Sequence, residues 1–247
     1  TNHMSTKKIA LVTGANKGIG LETARQLSQK GMTVLIGARA ETKGAEAVAE
    51  LKKDGLEARA LTIDVRDSKG IKSAAAEVEK EFGPLDVLVN NAGVMVDDKK
   101  AQVREQPLAT WRKTFDPNFF GLIETTQAFL PLLRKSEAGR IVNLSSILGS
   151  VTFHATPGSP VYDAKDTPSY NVSKSAVNAY TVQLAHELKG TKIKVNAAHP
   201  GWVKTDMGGE DAQIDVPDGA KTSVDFATVG ADGPNGAFEH KGSVLPW

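Results

Sequence analysis

Short apolar runs alternate with longer stretches of helical spacing along most of this chain, and glycines mark the joins. KIALVTGA (8–15) is an apolar run closing on a glycine turn, the pattern of a strand buried on both faces. LETARQLSQKG (21–31) then spaces Leu21, Ala24 and Leu27 at helical intervals and stops at Gly31. The cycle repeats. TVLIGAR, ARALTIDV, DVLVNNAG, RIVNLSS and IKVNAAHPG read as further buried strands. Between them, ETKGAEAVAELKKDG, KGIKSAAAEVEKEFG and SYNVSKSAVNAYTVQLAHELKG read as helices. Residues 107–134 predict one long helix bent at Pro117. The Gly/Pro/Ser-punctuated stretch 149–168 predicts a loop, 206–218 a polar mobile segment, 219–229 a last helix, and the region of Phe238 a final short strand.

Strict alternation without a second compositional block predicts one doubly wound α/β domain with a parallel sheet, a Rossmann fold, over residues 7–247. The opening residues 1–6, with their TNHM start, read as an expression remnant. Ligands of such sheets bind at the carboxyl ends of the strands, where the chain's polar motifs also fall.

Composition narrows the chemistry. A net charge of +1 gives no footprint for nucleic acid or an acidic membrane. The absence of cysteine removes disulfides, thiolate catalysis and zinc–thiolate sites, and fits a cytoplasmic location. No apolar run reaches the roughly 18 residues of a membrane helix. His154, His186 and His199 are scattered without paired carboxylates, so no metal is expected.

The first strand-to-helix join, TGANKGIG, carries Gly14, Gly18 and Gly20. Such a turn aims backbone N–H groups and a positive helix end at a phosphate. A triphosphate loop needs lysine directly after its last glycine, whereas Lys17 precedes Gly18, so the spacing excludes that reading. A dinucleotide with a free ribose 2′-hydroxyl usually meets an acid at the end of the second strand. Here Ala38 stands there, followed by Arg39, and Arg39 with Lys17 favours a 2′-phosphate and therefore NADP(H).

TGANKGIG, Asp64, NNAG at 90–93, Asn118, Ser145, YNVSK at 170–174 and PGWVKT at 200–205 run in an order that resembles the short-chain dehydrogenase/reductase family. The resemblance is to its single-domain branch and, within that, to carbonyl-reductase-like members. It implies a cofactor cradle of Gly14, Asn16, Lys17, Gly18, Ile19 and Gly20, with Arg39 at the 2′-phosphate. Asp64 and Val65 would meet the adenine, and Asn91, Ala92 and Gly93 would line the cofactor. Pro200, Gly201, Val203 and Thr205 would hold its nicotinamide end. Tyr170 would deliver the proton while Lys174, four residues on, lowers its pKa and binds the ribose. Ser145 would hold the substrate oxygen, and Asn118 would position a water. The activity implied is NADPH-dependent reduction of a ketone or aldehyde to an alcohol.

Tyr170 lies 25 positions after Ser145, a long interval for the family, and the added sequence resembles the carbonyl-reductase-like insertion that covers a dimer-pairing helix. A monomer is therefore expected ahead of a dimer. Met95, Ile147, Phe153 and Trp202 are the apolar candidates for a substrate wall suited to a bulky hydrophobic carbonyl compound. A non-catalytic NADP(H) sensor is the alternative of another class, although it has no need of an acid. An epimerase or dehydratase on the same scaffold would want a larger C-terminal region.

Overall fold

The computed structural model describes residues 6–247, so the expected opening remnant, apart from Thr6, lies outside the described residues. Among the described residues eight strands form one sheet: β1 (Ile9–Val12), β2 (Thr33–Ala38), β3 (Ala58–Thr62), β4 (Val87–Asn90), β5 (Arg140–Leu144), β6 (Lys194–Ala198), β7 (Phe238–His240) and β8 (Ser243–Val244). Their order across the sheet is β3-β2-β1-β4-β5-β6-β7-β8. All neighbours are parallel except β7 and β8, whose antiparallel pairing forms a hairpin that the apolar pattern did not predict.

The continuous apolar runs are explained by what covers the sheet. Along β1, Ile9 and Leu11 face one apolar layer with Ile71 and Val78 of α3 (Ser68–Phe82), Phe129 of α5 (Gly121–Leu133) and Leu184 of α7 (Pro168–Glu187). Ala10 and Val12 face the other, with Leu27 of α1 (Gly18–Gln29), Leu51 of α2 (Glu41–Lys53) and Val224 of α8 (Val216–Ala227). Alternate residues thus enter two separate cores, and no position of the strand can be polar without cost.

The order reverses between β1 and β4, since β2 and β3 lie to one side of β1 and β4 to the other. This switch point opens a crevice at the strands' carboxyl ends, and there the chain places Gly14 after β1 and Asn91 after β4.

The 107–134 segment departs from one bent helix in an informative way. α4 (Leu108–Phe115) runs into a π-helical turn (Asp116–Phe120) and then into α5. Pro117 has no N–H to give, and the chain absorbs this by widening, with the Gly121 N–H reaching back to the Asp116 carbonyl. The expected loop at 149–168 contains a short helix, α6 (Val151–Ala155), because Ser150 caps it by accepting from the Phe153 N–H. The segment expected to be mobile is held by a parallel bridge between Val203 and Ile214, and α8 starts at Val216, three residues before the expected 219.

One buried seam joins sheet and helix through polar groups. Asn90 donates to Thr126 Oγ1 and to Asn143 Oδ1, both at 3.0 Å. Asn143 donates to Thr181 Oγ1 at 3.0 Å, and Ser145 donates to Asn178 Oδ1 at 2.6 Å. Going up β5 therefore means going back along α7, as an antiparallel packing of strand and helix requires.

Candidate active site

Gly14 and Gly18 both adopt φ of +59°, a left-handed conformation that favours glycine. Gly20 is tight for a different reason, since a Cβ there would lie 2.5 Å from the Gly14 carbonyl oxygen and 2.4 Å from Asn91 Nδ2. Asn91 donates to the carbonyls of Thr13 and Gly14 at 3.0 and 3.1 Å, so its side chain braces the glycine turn from behind. No side chain caps the amino end of α1 at Lys17, which leaves its first amides as donors for an anion. Asn16 and Ile19 lie half-buried in the same turn.

Two expected cofactor contacts meet competition from within the chain. Lys17 Nζ pairs with Asp206 Oδ2 at 2.8 Å, tying the glycine turn to the segment after β6. The Asp64 carboxylate accepts from the Arg66 backbone N–H, Nε and Nη2 at 3.0–3.1 Å, and this fork holds it below the usual carboxylate range. Arg39 is exposed at the tip of β2 and adds to that lowering. Val65 is buried beside α5, its carbonyl close against Gly121. Ala92 packs on Gly14, and Gly93 lies against the Asn118 side chain, whose Oδ1 would stand 3.2 Å from a Cβ at that position. After β6, Pro200 is buried, Gly201 turns with φ of +93° and Val203 is buried. The Thr205 methyl approaches Gly18, and its Oγ1 accepts from the Gly208 N–H.

The acid–base centre lies on the buried face of α7. Tyr170 and Lys174 are 8% and 4% exposed, which makes burial the main influence on both. It pushes the Tyr170 phenol up to about 12, against a smaller lowering from its hydrogen bond with the Ser146 hydroxyl. It pushes the Lys174 ammonium down to about 8. Lys174 Nζ donates to the Leu144 carbonyl at 2.9 Å and stands 5.6 Å from the centre of the Tyr170 ring. Desolvation therefore sets the direction, and the phenol lies above its ordinary value where a lowering by this ammonium is expected.

The geometry does not bring Ser145, the expected partner of the substrate oxygen, to the Tyr170 phenol. Ser145 is 1% exposed, and its hydroxyl donates to Asn178, which lies eight residues beyond Tyr170 along α7. Eight helical residues span about 12 Å, so a serine level with Asn178 cannot also attend the phenol. The serine hydroxyl that acts on the Tyr170 phenol, lowering it slightly, is that of Ser146, whose Oγ accepts from the Leu148 N–H at 3.1 Å. His199 steadies the same turn by accepting from the Ile147 N–H through Nδ1 at 3.0 Å, and burial holds its imidazole neutral by pushing it down to about 3.

The Asn118 side chain is engaged within the protein. Its amide clamps Val94, accepting from the N–H at 2.8 Å and donating to the carbonyl at 2.9 Å, and it donates to Ser173 Oγ at 3.1 Å. Both amide protons are engaged by protein groups. Among the substrate candidates, Met95, Ile147 and Phe153 are half-buried after β4, after β5 and on α6. Trp202 is 54% exposed, with its indole N–H donating to the Gly208 carbonyl at 2.7 Å, so it forms no buried wall. A surface groove of about 700 Å³ beside Trp111, Phe115 and Phe120 contains none of the four.

Among the described residues no cluster of three His, Asp or Glu side chains could hold a metal ion, and no helix is long and apolar enough to cross a membrane. The fold and site together define a doubly wound α/β protein with a glycine cradle at its switch point and a buried Ser–Tyr–Lys group beside it. The short chain dehydrogenase family model matches residues 8–214, and the chain belongs to that family of oxidoreductases. It is 38% identical over 233 residues to the short-chain dehydrogenase anuI of Penicillium roqueforti, covering 92% of this chain and 90% of that one. It is 33% identical to carbonyl reductase (NADPH) 1 of Mus musculus, covering 98% and 99% respectively. Among solved structures, NADPH-bound carbonyl reductase from chicken fatty liver superposes with a TM-score of 0.84 at 28% identity, covering 98% of this chain and 99% of that one. Carbonyl reductase Sniffer of D. melanogaster gives 0.82 at 30% identity, covering 98% and 100%.

Proposed function

We propose that the protein reduces a ketone or aldehyde to an alcohol with NADPH, and that Tyr170 gives the proton. The observation that carries this reading is the buried phenol, pushed up to about 12, with Ser146 and Lys174 beside it. Such a phenol is protonated at neutral pH yet far more acidic than an alcohol, so it can pass its proton to an oxygen that is becoming an alkoxide. Ser146 donates to the same oxygen, and its bond from the Leu148 N–H fixes the hydroxyl's position while leaving its proton available. Lys174 keeps a positive charge next to the phenol at neutral pH, ready to favour the phenolate once the proton has left.

The residues present fit an NADP(H) cofactor. Gly20 sits where a Cβ would fill the cradle, the first amides of α1 have no side-chain cap, and Arg39 follows Ala38 where an acid would otherwise reject a 2′-phosphate. Gly14, Gly18 and Gly20 with Arg39 would hold it, assisted by Lys17 when released from Asp206. A bound nicotinamide would supply the hydride. The named relatives that are NADPH carbonyl reductases support the same substrate class and cofactor.

The test is a panel of ketones and aldehydes followed by loss of NADPH absorbance, with Tyr170→Phe alongside. Turnover should vanish in the variant while its NADPH Kd stays within about twofold, because the proton donor touches the reaction and not the cradle. A Tyr170→Phe protein that keeps its rate sinks the assignment.

A further inference from the structure

The helix that carries Tyr170 lacks a cap of its own. Thr167 stands at the N-cap of α7, but its side chain makes no capping bond and donates instead to Asn171 Oδ1 at 3.0 Å. Pro168 follows and has no N–H, so the first orphan donors of the helix are the amides of Ser169 and Tyr170. Both are taken by one carboxylate from elsewhere. Asp97 Oδ2 accepts from the Ser169 N–H at 2.9 Å and Asp97 Oδ1 from the Tyr170 N–H at 3.1 Å. These are the second and third helical residues, the two amides that an N-cap side chain ordinarily serves. The cap is supplied across 73 residues of sequence, from the loop that follows β4.

That loop is fastened at its other end as well. Three residues before Asp97, Val94 is gripped at both its N–H and its carbonyl by Asn118. Residues 94–97 therefore bridge the π-helical turn and the first turn of α7, with Met95 between the two fastenings. The carboxylate ends on the backbone of Tyr170 itself and not on a neighbouring turn.

We propose that Asp97 is a positioning residue for carbonyl reduction, setting the height of the Tyr170 phenol by holding Tyr170's own amide to the β4 loop. This rests on the reading of Tyr170 as proton donor. A cap from within α7 would stabilise the helix equally well but would not tie its first turn to the β4 loop. The bonds to Thr181 and Asn178 register the later turns of α7 on the sheet, and Asp97 adds the fastening at the turn that carries the reacting oxygen.

The chain has three tyrosines, so labelling with 15N-tyrosine gives three backbone amide signals and reports the tether without any activity. In the wild type the Tyr170 amide proton should lie downfield, and in Asp97→Ala it should move upfield while Tyr162 and Tyr180 stay in place. The same variant should lose about 10- to 100-fold in kcat, the cost of misplacing a reacting group by about an ångström, with KM and NADPH Kd within about twofold. Asp97→Asn keeps one acceptor oxygen and should fall between Ala and wild type in both kcat and amide shift. An unmoved Tyr170 amide overturns the proposal, and so does a moved amide with kcat unchanged, which would make Asp97 a stabilising cap alone. Parallel losses in kcat and NADPH affinity overturn it too. A wild type that binds NADPH but reduces no carbonyl would fail the reductase reading, whereas the amide shift decides the tether independently.

Discussion

Lys174 should make the folded protein less stable at neutral pH than a variant without it. Its ammonium is almost wholly buried, and its pKa falls from 10.5 to about 8 on folding. A group whose pKa is lowered by folding penalises the folded state fully below the folded value and not at all above the unfolded one. The unfolded chain binds more protons between pH 8 and 10.5, so stability rises with pH across that window. The penalty is about 3 kcal/mol at pH 7, about 2 kcal/mol at pH 9, and less than about 1 kcal/mol at pH 10.5. Lys174→Met keeps most of the stem volume and removes the charge, but it also removes the bond to the Leu144 carbonyl, a loss of about 1 kcal/mol. The variant should then be about 2 kcal/mol more stable at pH 7, and slightly less stable than wild type at pH 10.5. Urea unfolding without cofactor at pH 7, 9 and 10.5 measures this, and the absence of cysteine keeps thiol chemistry out of the alkaline arm. The Tyr170 phenol, common to both proteins, cancels in the difference. A stability difference that does not change with pH would refute the buried-ammonium argument, whatever its sign.

Two further outcomes separate the remaining assignments. Ser146→Ala should lower kcat by about 100-fold or more through loss of a hydrogen bond to the reacting oxygen. Ser145→Ala should instead cost about 1–3 kcal/mol of stability, leaving the buried Asn178 Oδ1 without its donor, with kcat nearly intact, and the reverse pattern would return the role to Ser145. Arg39→Ala should weaken NADPH binding about 10- to 100-fold while sparing NADH, read by fluorescence titration, and an equal loss for both would sink the 2′-phosphate contact. Asp206→Ala frees Lys17 and should tighten NADPH up to about fivefold at low salt, an effect that fades as salt rises.

The fold was legible because its signal is local. Apolar runs such as IALV and VLVN can be satisfied only by burial on both faces, and the glycines mark where each run turns. The site was legible in residue type but not always in direction. A serine pair at the end of β5 offers two hydroxyls, and which one meets Tyr170 depends on how β5 lies against α7, a tertiary fact. Inward parity offers a partial clue, since Ser145 continues the series Ile141 and Asn143 that faces α7 at the level of Asn178. Asp97 was missed because its partners are backbone amides 72 and 73 residues away, and a single acid in a polar loop carries no periodic signal. Pro117 was read as a bend, and the π-helical turn it occupies depends on the Gly121-to-Asp116 bond that only the full backbone shows.

The buried seam of Asn90, Asn143, Thr126, Thr181, Ser145 and Asn178 works as a vernier between sheet and helix. Two purely apolar surfaces can slide by a fraction of a turn and still exclude water, because burial has no direction. Here such a slip would separate several interior donors from their acceptors together, at about 1–3 kcal/mol apiece. Trimming one rung to an apolar residue of similar shape would leave the sheet and α7 packed, yet it would blur the alignment by which Tyr170 and Ser146 arrive at the same place.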